Sequence, residues 1–379
     1  MGPETSFKAG LEDVVATSSE ICYLNGQRGV LAYRGYDIHD LAKWASFEET
    51  CYLLWHGRLP NRAELGDLNS ALAAARPLPE PVLRLMGMLP PGDGMDALRT
   101  LTSVMAHHEV ELGRDTAQDR ARRAVRLTAQ IASLVATWGR LNAGGGPIAP
   151  DPASGHAANF LYLLTGRRPD AFETRAFDIA LVLHADHELN ASTFAGRVAA
   201  ATLTDMYSAV VAAIGTLKGP LHGGANADVM RLLLEIGAES SDDRVEAHIR
   251  GKLARKEKIP GFGHRVYRTE DPRATHLRRL SQDIGKRAGN TRWFEMSRRI
   301  EGLVMAEKQL YPNVDFYSAS TYYMLGLPID LFTPIFAVSR ISGWTAHILE
   351  QYANNRLIRP RAEYTGPDYP QHYVPLEAR

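Results

Sequence analysis

Apolar residues recur at intervals of three and four along most of this chain, the spacing that lines one face of an α-helix. Phe172 to His184 forms one such stripe, and Thr291 to Leu310 mixes apolar and charged positions as a half-exposed helix does. Asn190 to Thr216 reads as one long, alanine-rich helix whose small side chains permit close packing. Asn226 is placed to N-cap a helix over Ala227 to Ile236. Asp330 to Ala353 is the last long helical segment, with Pro334 tolerated in its first turn. The pattern changes near the start. There Ile21-Cys22-Tyr23-Leu24 and Val30-Leu31-Ala32-Tyr33 flank Asn25-Gly26, with Gln27-Arg28-Gly29 lengthening the turn, which predicts a β-hairpin. Strands do not alternate with helices, so no parallel sheet is expected. The fold class is mainly α.

Two stretches interrupt the helices. Asn142 to Gly155, with Gly144-Gly145-Gly146-Pro147, is a loop. Gly215 to Gly224 gathers glycines and Pro220 around His222, a composition that suits a hinge as well as a site.

Length and composition narrow the class. With 379 residues, two domains or one large domain with a lobe are expected. Lys+Arg and Asp+Glu both number 43, so no net field recruits nucleic acid or an anionic membrane. Any anion site must be a local cluster. Cys22 and Cys51 are the only cysteines, which excludes a disulfide framework and a CxxC metal knuckle. One disulfide stays open, but two free thiols in a reducing cytoplasm fit better. Met1 to Glu20 carries acidic residues and no continuous apolar run, so it does not read as a signal peptide. No run reaches the roughly 18 apolar residues of a spanning helix. A soluble, cytoplasmic protein is expected.

The strongest chemical signal is Pro260-Gly261-Phe262-Gly263-His264-Arg265-Val266-Tyr267-Arg268-Thr269-Glu270-Asp271-Pro272-Arg273. Glycines let backbone approach a ligand closely, histidine handles protons near neutrality, and arginine grips carboxylates as a two-pronged fork. The combination suits an anionic carbonyl substrate. His184-Ala185-Asp186-His187-Glu188 places two histidines where they could share a helix face and invite a metal. Yet HExxH is absent, and satisfied histidines at a helix junction are the ordinary alternative. His222, between Gly219-Pro220 and Gly223-Gly224, could donate a hydrogen bond to a developing enolate oxygen, or merely cap a turn. Asp315, in Tyr311-Pro312-Asn313-Val314-Asp315-Phe316-Tyr317-Ser318, could be a base with a raised pKa, or the N-cap of a helix through Tyr322. Arg340 interrupts an apolar helix and needs a carboxylate from the protein or a ligand. Arg359 and Arg361 read as polar tail. The basic run Arg250 to Lys258 is either a solvated helix face or a phosphate contact.

Together these residues resemble the citrate synthase family. The resemblance covers nearly the whole chain, from Gly10-Leu11-Glu12-Asp13-Val14-Val15 and Tyr33-Arg34-Gly35-Tyr36-Asp37 through HADHELNAS, GPLHGGAN, PGFGHRVYRTEDPR and YPNVDFYS to LFTPIFAVSRISGWTAHILEQ and IRPRAEYTG. It implies a two-domain helical homodimer with the site in the interdomain cleft. The small domain would run from Gly223 to Ser320. The large domain would comprise Met1 to His222 and Thr321 to Arg379. By resemblance, Asp315 removes a methyl proton from acetyl-CoA, His222 stabilises the enol, and His264 polarises and protonates the oxaloacetate carbonyl. His187, Arg273, Arg340 and Arg359 match oxaloacetate-binding positions, Arg359 reaching in from the other subunit. Arg268 and the Gly261-Phe262-Gly263 backbone would face CoA, with Lys252 and Lys256 toward its phosphates. Citryl-CoA would then be hydrolysed to citrate and CoA. No metal and no cofactor are implied, acetyl-CoA being a substrate.

The nearest rival is a 2-methylcitrate synthase using propionyl-CoA. A single methylene discriminates by only ~1–3 kcal/mol, so the motifs do not settle it. The Phe316-Tyr317-Ser318-Ala319 stretch is where the acyl pocket would be sought, and Arg359-Pro360-Arg361-Ala362-Glu363-Tyr364 favours acetyl-CoA. A metal- or anion-binding regulatory protein built on the histidines is the rival from another class. The match begins close to Met1, so no extra regulatory domain is expected.

Overall fold

The computed structural model describes residues 8–12, 14–109 and 115–379. The first seven residues of the acidic N-terminal segment, and Asp13 of its motif, lie outside them. The hairpin forms as β1 (Cys22–Asn25) and β2 (Val30–Tyr33), Cys22 opposite Tyr33, and a third antiparallel strand, β3 (Tyr36–Asp37), joins β2. At two residues, β3 is too short to leave a period of its own.

Everything else regular among the described residues is helical. The first group is α1 (Ile38–Trp44), α2 (Phe47–His56), α3 (Arg62–Ala75), α4 (Glu80–Met88) and α5 (Gly94–Met105). Then come α6 (Ala117–Asn142), α7 (His156–Thr165), α8 (Ala171–His184), α9 (Ala191–Ala200) and α10 (Met206–Leu217). The last are α11 (Ala225–Ile236), α12 (Asp242–Ala254), α13 (Pro272–Arg287), α14 (Arg292–Lys308), α15 (Val314–Met324) and α16 (Phe332–Ala353). Reciprocal capping fixes several starts: Ser46 with Glu49, Asn61 with Glu64 and Asp170 with Glu173 each satisfy two end amides. Helix α16 is buried on nearly all sides from Phe332 to Ile348, polar Ser339, Arg340 and His347 included, and is correspondingly central, packing on α2, α6, α8, α9 and α10. Helices α11, α13, α14 and α15 pack on one another. Buried Glu301 ties three of them together, accepting from Arg278 (2.7 Å), Arg298 (2.7 Å) and the Tyr317 hydroxyl.

Three expectations are corrected. The segment from Asn190 to Thr216 is two helices, because α9 ends at Ala200, Leu203 is left-handed (φ 63°), and Asp205 caps α10 by accepting from the Ser208 amide. Alanine-rich helices on both sides hid the break. Asn226 does not cap α11: the helix begins at Ala225, and Asn226 is buried within its first turn. Helix α8 stops at His184, so His184 and His187 do not share a helix face. Cys22 and Cys51 are free thiols. Among the described residues no helix is long and apolar enough to cross a membrane.

Candidate active site

The start of the loop 261–273 is held against residues 311–313. Gly261 and Gly263 take positive φ (82° and 77°), and the loop then runs beside 311–313 as a short antiparallel pair. The Gly263 amide donates to the Tyr311 carbonyl (2.9 Å), the Asn313 amide to the Gly261 carbonyl (2.9 Å), and Asn313 Nδ2 to the Gly263 carbonyl (3.0 Å). Asn313 Oδ1 also caps α15 by accepting from the Asp315 amide (3.0 Å). One asparagine therefore registers the His264 loop against the helix that carries Asp315. The alternative in which Asp315 is itself the cap is overturned, and its carboxylate is left for other work.

Asp315 accepts no hydrogen bond at its carboxylate from the described residues. Burial pushes its pKa up to about 6, although Arg273 and Arg340 pull the other way. Arg273 and Asp271 form a buried bidentate pair, Nε to Oδ1 2.9 Å and Nη2 to Oδ2 2.7 Å, and Asp271 also accepts from the Val314 amide (3.2 Å). Burial opposes the Arg273 charge, but Asp271 outweighs it and keeps the guanidinium protonated. Its Nη1 side has no protein acceptor among the described residues. Arg340, fully buried on α16, donates from Nε to the His184 carbonyl (2.7 Å) and lies over the Phe336 ring. No carboxylate of the described residues ion-pairs with it, and burial lowers its pKa to about 10. Both arginines thus retain donors for an anion.

Burial favours the neutral histidines, and backbone amides fix the proton on His264 and His222. His264 Nδ1 accepts from the Val266 (3.0 Å) and Tyr267 (3.2 Å) amides, so its proton sits on Nε2. His222 Nε2 accepts from the Ser192 amide (3.2 Å), so its proton sits on Nδ1. Burial lowers both pKa values to about 4, assisted by Arg273 at His264 and by Arg340 at His222. His187 meets the Tyr267 hydroxyl at Nε2 (3.2 Å) and its ring lies 5.2 Å from that of His264. Burial, Arg273 and His264 hold it well below the usual histidine range. The 185–187 turn is clamped from the sheet: the Tyr33 hydroxyl donates to the Asp186 carbonyl (2.9 Å).

His187, His264, Arg273, Arg340 and Asp315 are therefore brought together, with His222 within reach of the Arg340 field. Arg359 is not among them: it is exposed on the extended tail after α16. Arg268 is also exposed, held by its amide to the Gly26 carbonyl (2.9 Å). Lys252 is engaged by Glu257 (3.4 Å) and Glu235 (3.9 Å), and Lys256 is exposed with φ 59°. Asp271, Asn313, Ser192, Tyr267 and Asp186 hold the cluster in place, a supporting part that none of them was expected to play. Asp271 had a signal, an Asp before Pro272 at a helix start, but that signal announces a cap and not an ion pair.

The β1–β2 turn buttresses the loop. A Cβ on Gly26 would lie 2.1 Å from the Val266 carbonyl oxygen, beside the amide that fixes His264. Gly26→Ala is expected to lower kcat about tenfold while the thermal midpoint falls only a few degrees. Steady-state kinetics beside a melting curve check this; unchanged kcat would show that the loop does not depend on the turn.

Residues 10–361 match the family model described as citrate synthase, C-terminal domain. The chain is 53% identical to citrate synthase 2 of Bacillus subtilis over 98% of both chains. It is 50% identical to citrate synthase of Haloferax volcanii, over 98% of this chain and 99% of the relative. Its fold matches that of Thermoplasma acidophilum citrate synthase, solved as a ternary complex with carboxymethyl coenzyme A and oxaloacetate. There the TM-score is 0.91, with 33% identity over 99% of this chain and 100% of that one. The chain belongs to the citrate synthase family.

Proposed function

We propose that this chain condenses acetyl-CoA with oxaloacetate and hydrolyses the resulting citryl-CoA to citrate and CoA. The observation that carries the residue assignment is the complementary protonation of the cluster. One buried carboxylate, its pKa pushed up to about 6, accepts no hydrogen bond from the described residues, and two neutral histidines each have a single defined N–H. A thioester α-proton is weakly acidic, so its removal needs a base and a simultaneous donor at the oxygen. Asp315 takes the methyl proton, and His222 Nδ1–H bonds the thioester oxygen as charge develops there. The enol carbon attacks the oxaloacetate carbonyl carbon while His264 Nε2–H protonates the carbonyl oxygen. Water then cleaves the thioester. Arg273, Arg340 and His187 hold the two carboxylates, and the scheme uses neither metal nor cofactor. Arg268 and the 261–263 backbone face CoA, with Lys252 and Lys256 nearer its phosphates.

A homodimer completes the site in this reading, with Arg359 crossing to the partner. The exposed tail supports it: Leu357, Tyr364, Tyr369 and Tyr373 all lie open to solvent in a single chain. The small domain, 223–320, begins in the turn beside His222 and its second boundary falls inside α15. Two free thiols suit a cytoplasmic location.

The test is oxaloacetate-dependent thiol release from acetyl-CoA with citrate as product. Release without oxaloacetate, or without citrate, sinks the reading. The pH profile gives a second prediction. Asp315 must be ionised to act, so kcat/KM for acetyl-CoA falls as pH drops through about 6. The two histidines, at about 4, titrate only below that limb. An acid limb centred near 4 would assign the profile to another group.

A further inference from the structure

We propose that Trp344 is a positioning residue for His222, acting through Ser192; the inference rests on the role given to His222 above. Trp344 is fully buried on α16, and its indole Nε1–H donates to Ser192 Oγ (3.1 Å). That same oxygen lies 2.8 Å from His222 Nε2 and 2.8 Å from Asn190 Oδ1. Ser192 is itself fully buried, so no water competes for these bonds.

The donor inventory makes the geometry directional. An indole N–H can only donate, and a serine hydroxyl has one proton and two lone pairs. Trp344 occupies one lone pair of Ser192 Oγ and so fixes that oxygen in place, leaving one proton and one lone pair for its other neighbours. The hydroxyl proton is directed outward, to His222 Nε2 or to Asn190 Oδ1. Asn190 Oδ1 already accepts from the Thr193 amide (3.1 Å). The Ser192 amide at 3.2 Å already makes Nε2 an acceptor, so the hydroxyl 2.8 Å away meets His222 as a donor, sharing its proton with Asn190 Oδ1. Both interactions keep Nε2 unprotonated and the proton on Nδ1, the nitrogen that bonds the thioester oxygen. Without the indole N–H, Ser192 Oγ loses one of the bonds that hold it against His222 Nε2.

Position on the helix adds a second consequence. Trp344 follows Arg340 by four residues, so both project from one face of α16. A single rigid element then sets the guanidinium that grips the electrophile and the indole that fixes the enol-stabilising histidine.

A double-mutant cycle in the full-length enzyme tests this. Trp344→Phe is expected to lower kcat about tenfold, the scale of one lost buried hydrogen bond, with KM for oxaloacetate changed less than about twofold. In a Ser192→Ala background the same substitution should have no further effect on kcat. Equal effects in both backgrounds would mean that Trp344 acts by packing alone, and would overturn the proposal. So would an unchanged kcat or a change confined to KM. If Trp344→Phe does not fold, 3-benzothienylalanine at position 344 keeps the volume and removes only the N–H; the same kcat loss is expected, and wild-type kcat overturns it. His222→Gln separates the two layers. Wild-type kcat in that variant would remove the role of His222 itself, whereas an inactive His222→Gln beside a fully active Trp344→Phe refutes only the positioning claim.

Discussion

Asp315→Asn is expected to lower kcat by about three orders of magnitude and, at pH 7.5, to raise the thermal midpoint by a few degrees. The two effects share one cause. Asp315 is placed where burial makes its ionised form costly, and Asn313 has taken over the helix cap, so no bond repays the charge. A carboxyl whose folded pKa stands at about 6, against an ordinary value of 3.8, favours the folded state most when protonated. That stability is fully present below about pH 4 and is lost as pH rises through about 6. Asparagine never carries the charge, so its advantage grows between pH 4 and 6, reaches about 3 kcal/mol above that, and vanishes below pH 4. Melting curves and kcat across pH 3.5–8 check both halves. A variant that is inactive but less stable at pH 7.5 would mean that the carboxylate is structural.

Asp271→Ala is expected to produce the largest loss of stability, about 3–5 kcal/mol at pH 7, and to raise KM for oxaloacetate about tenfold or more. Asp271 is nearly inaccessible and accepts four bonds: Nε and Nη2 of Arg273, the Arg273 amide and the Val314 amide. Its removal leaves a buried cation uncompensated and an orphaned amide next to Asp315. Burial works to raise the pKa of Asp271, but Arg273 outweighs it and holds the carboxyl below its ordinary value. The pair therefore stabilises the fold above about pH 4, and the penalty of the substitution shrinks as the pH falls toward 3. Denaturant titrations at pH 7 and pH 3.5 read that difference. An equal penalty at both would show that packing, and not the charge pair, holds Asp271.

The hydrophobic period revealed the long, isolated helices: α8, α14 and α16 fall within two residues of their expected ends. It failed at Ala201–Asp205, where alanine-rich helices flank a break made by backbone conformation and a cap. Of the site, the chemistry-bearing residues were legible because histidine, arginine and aspartate stand out in glycine-rich or apolar surroundings. Their supports were not. Asn313 and Ser192 are ordinary polar residues whose partners lie 30 to 50 residues away, and nothing local announces the bond. Tyr33 reads as a buried strand residue, and its hydroxyl contact with Asp186, 153 residues on, exists only in the fold.

The central claim is that an acetyl group is joined to oxaloacetate at this cluster. Product analysis from an equimolar mixture of acetyl-CoA and propionyl-CoA with limiting oxaloacetate tests it most directly. Citrate should predominate over 2-methylcitrate, in step with CoA release, and both should disappear with Asp315→Asn. Predominant 2-methylcitrate, or CoA release unaccompanied by either product, would contradict it.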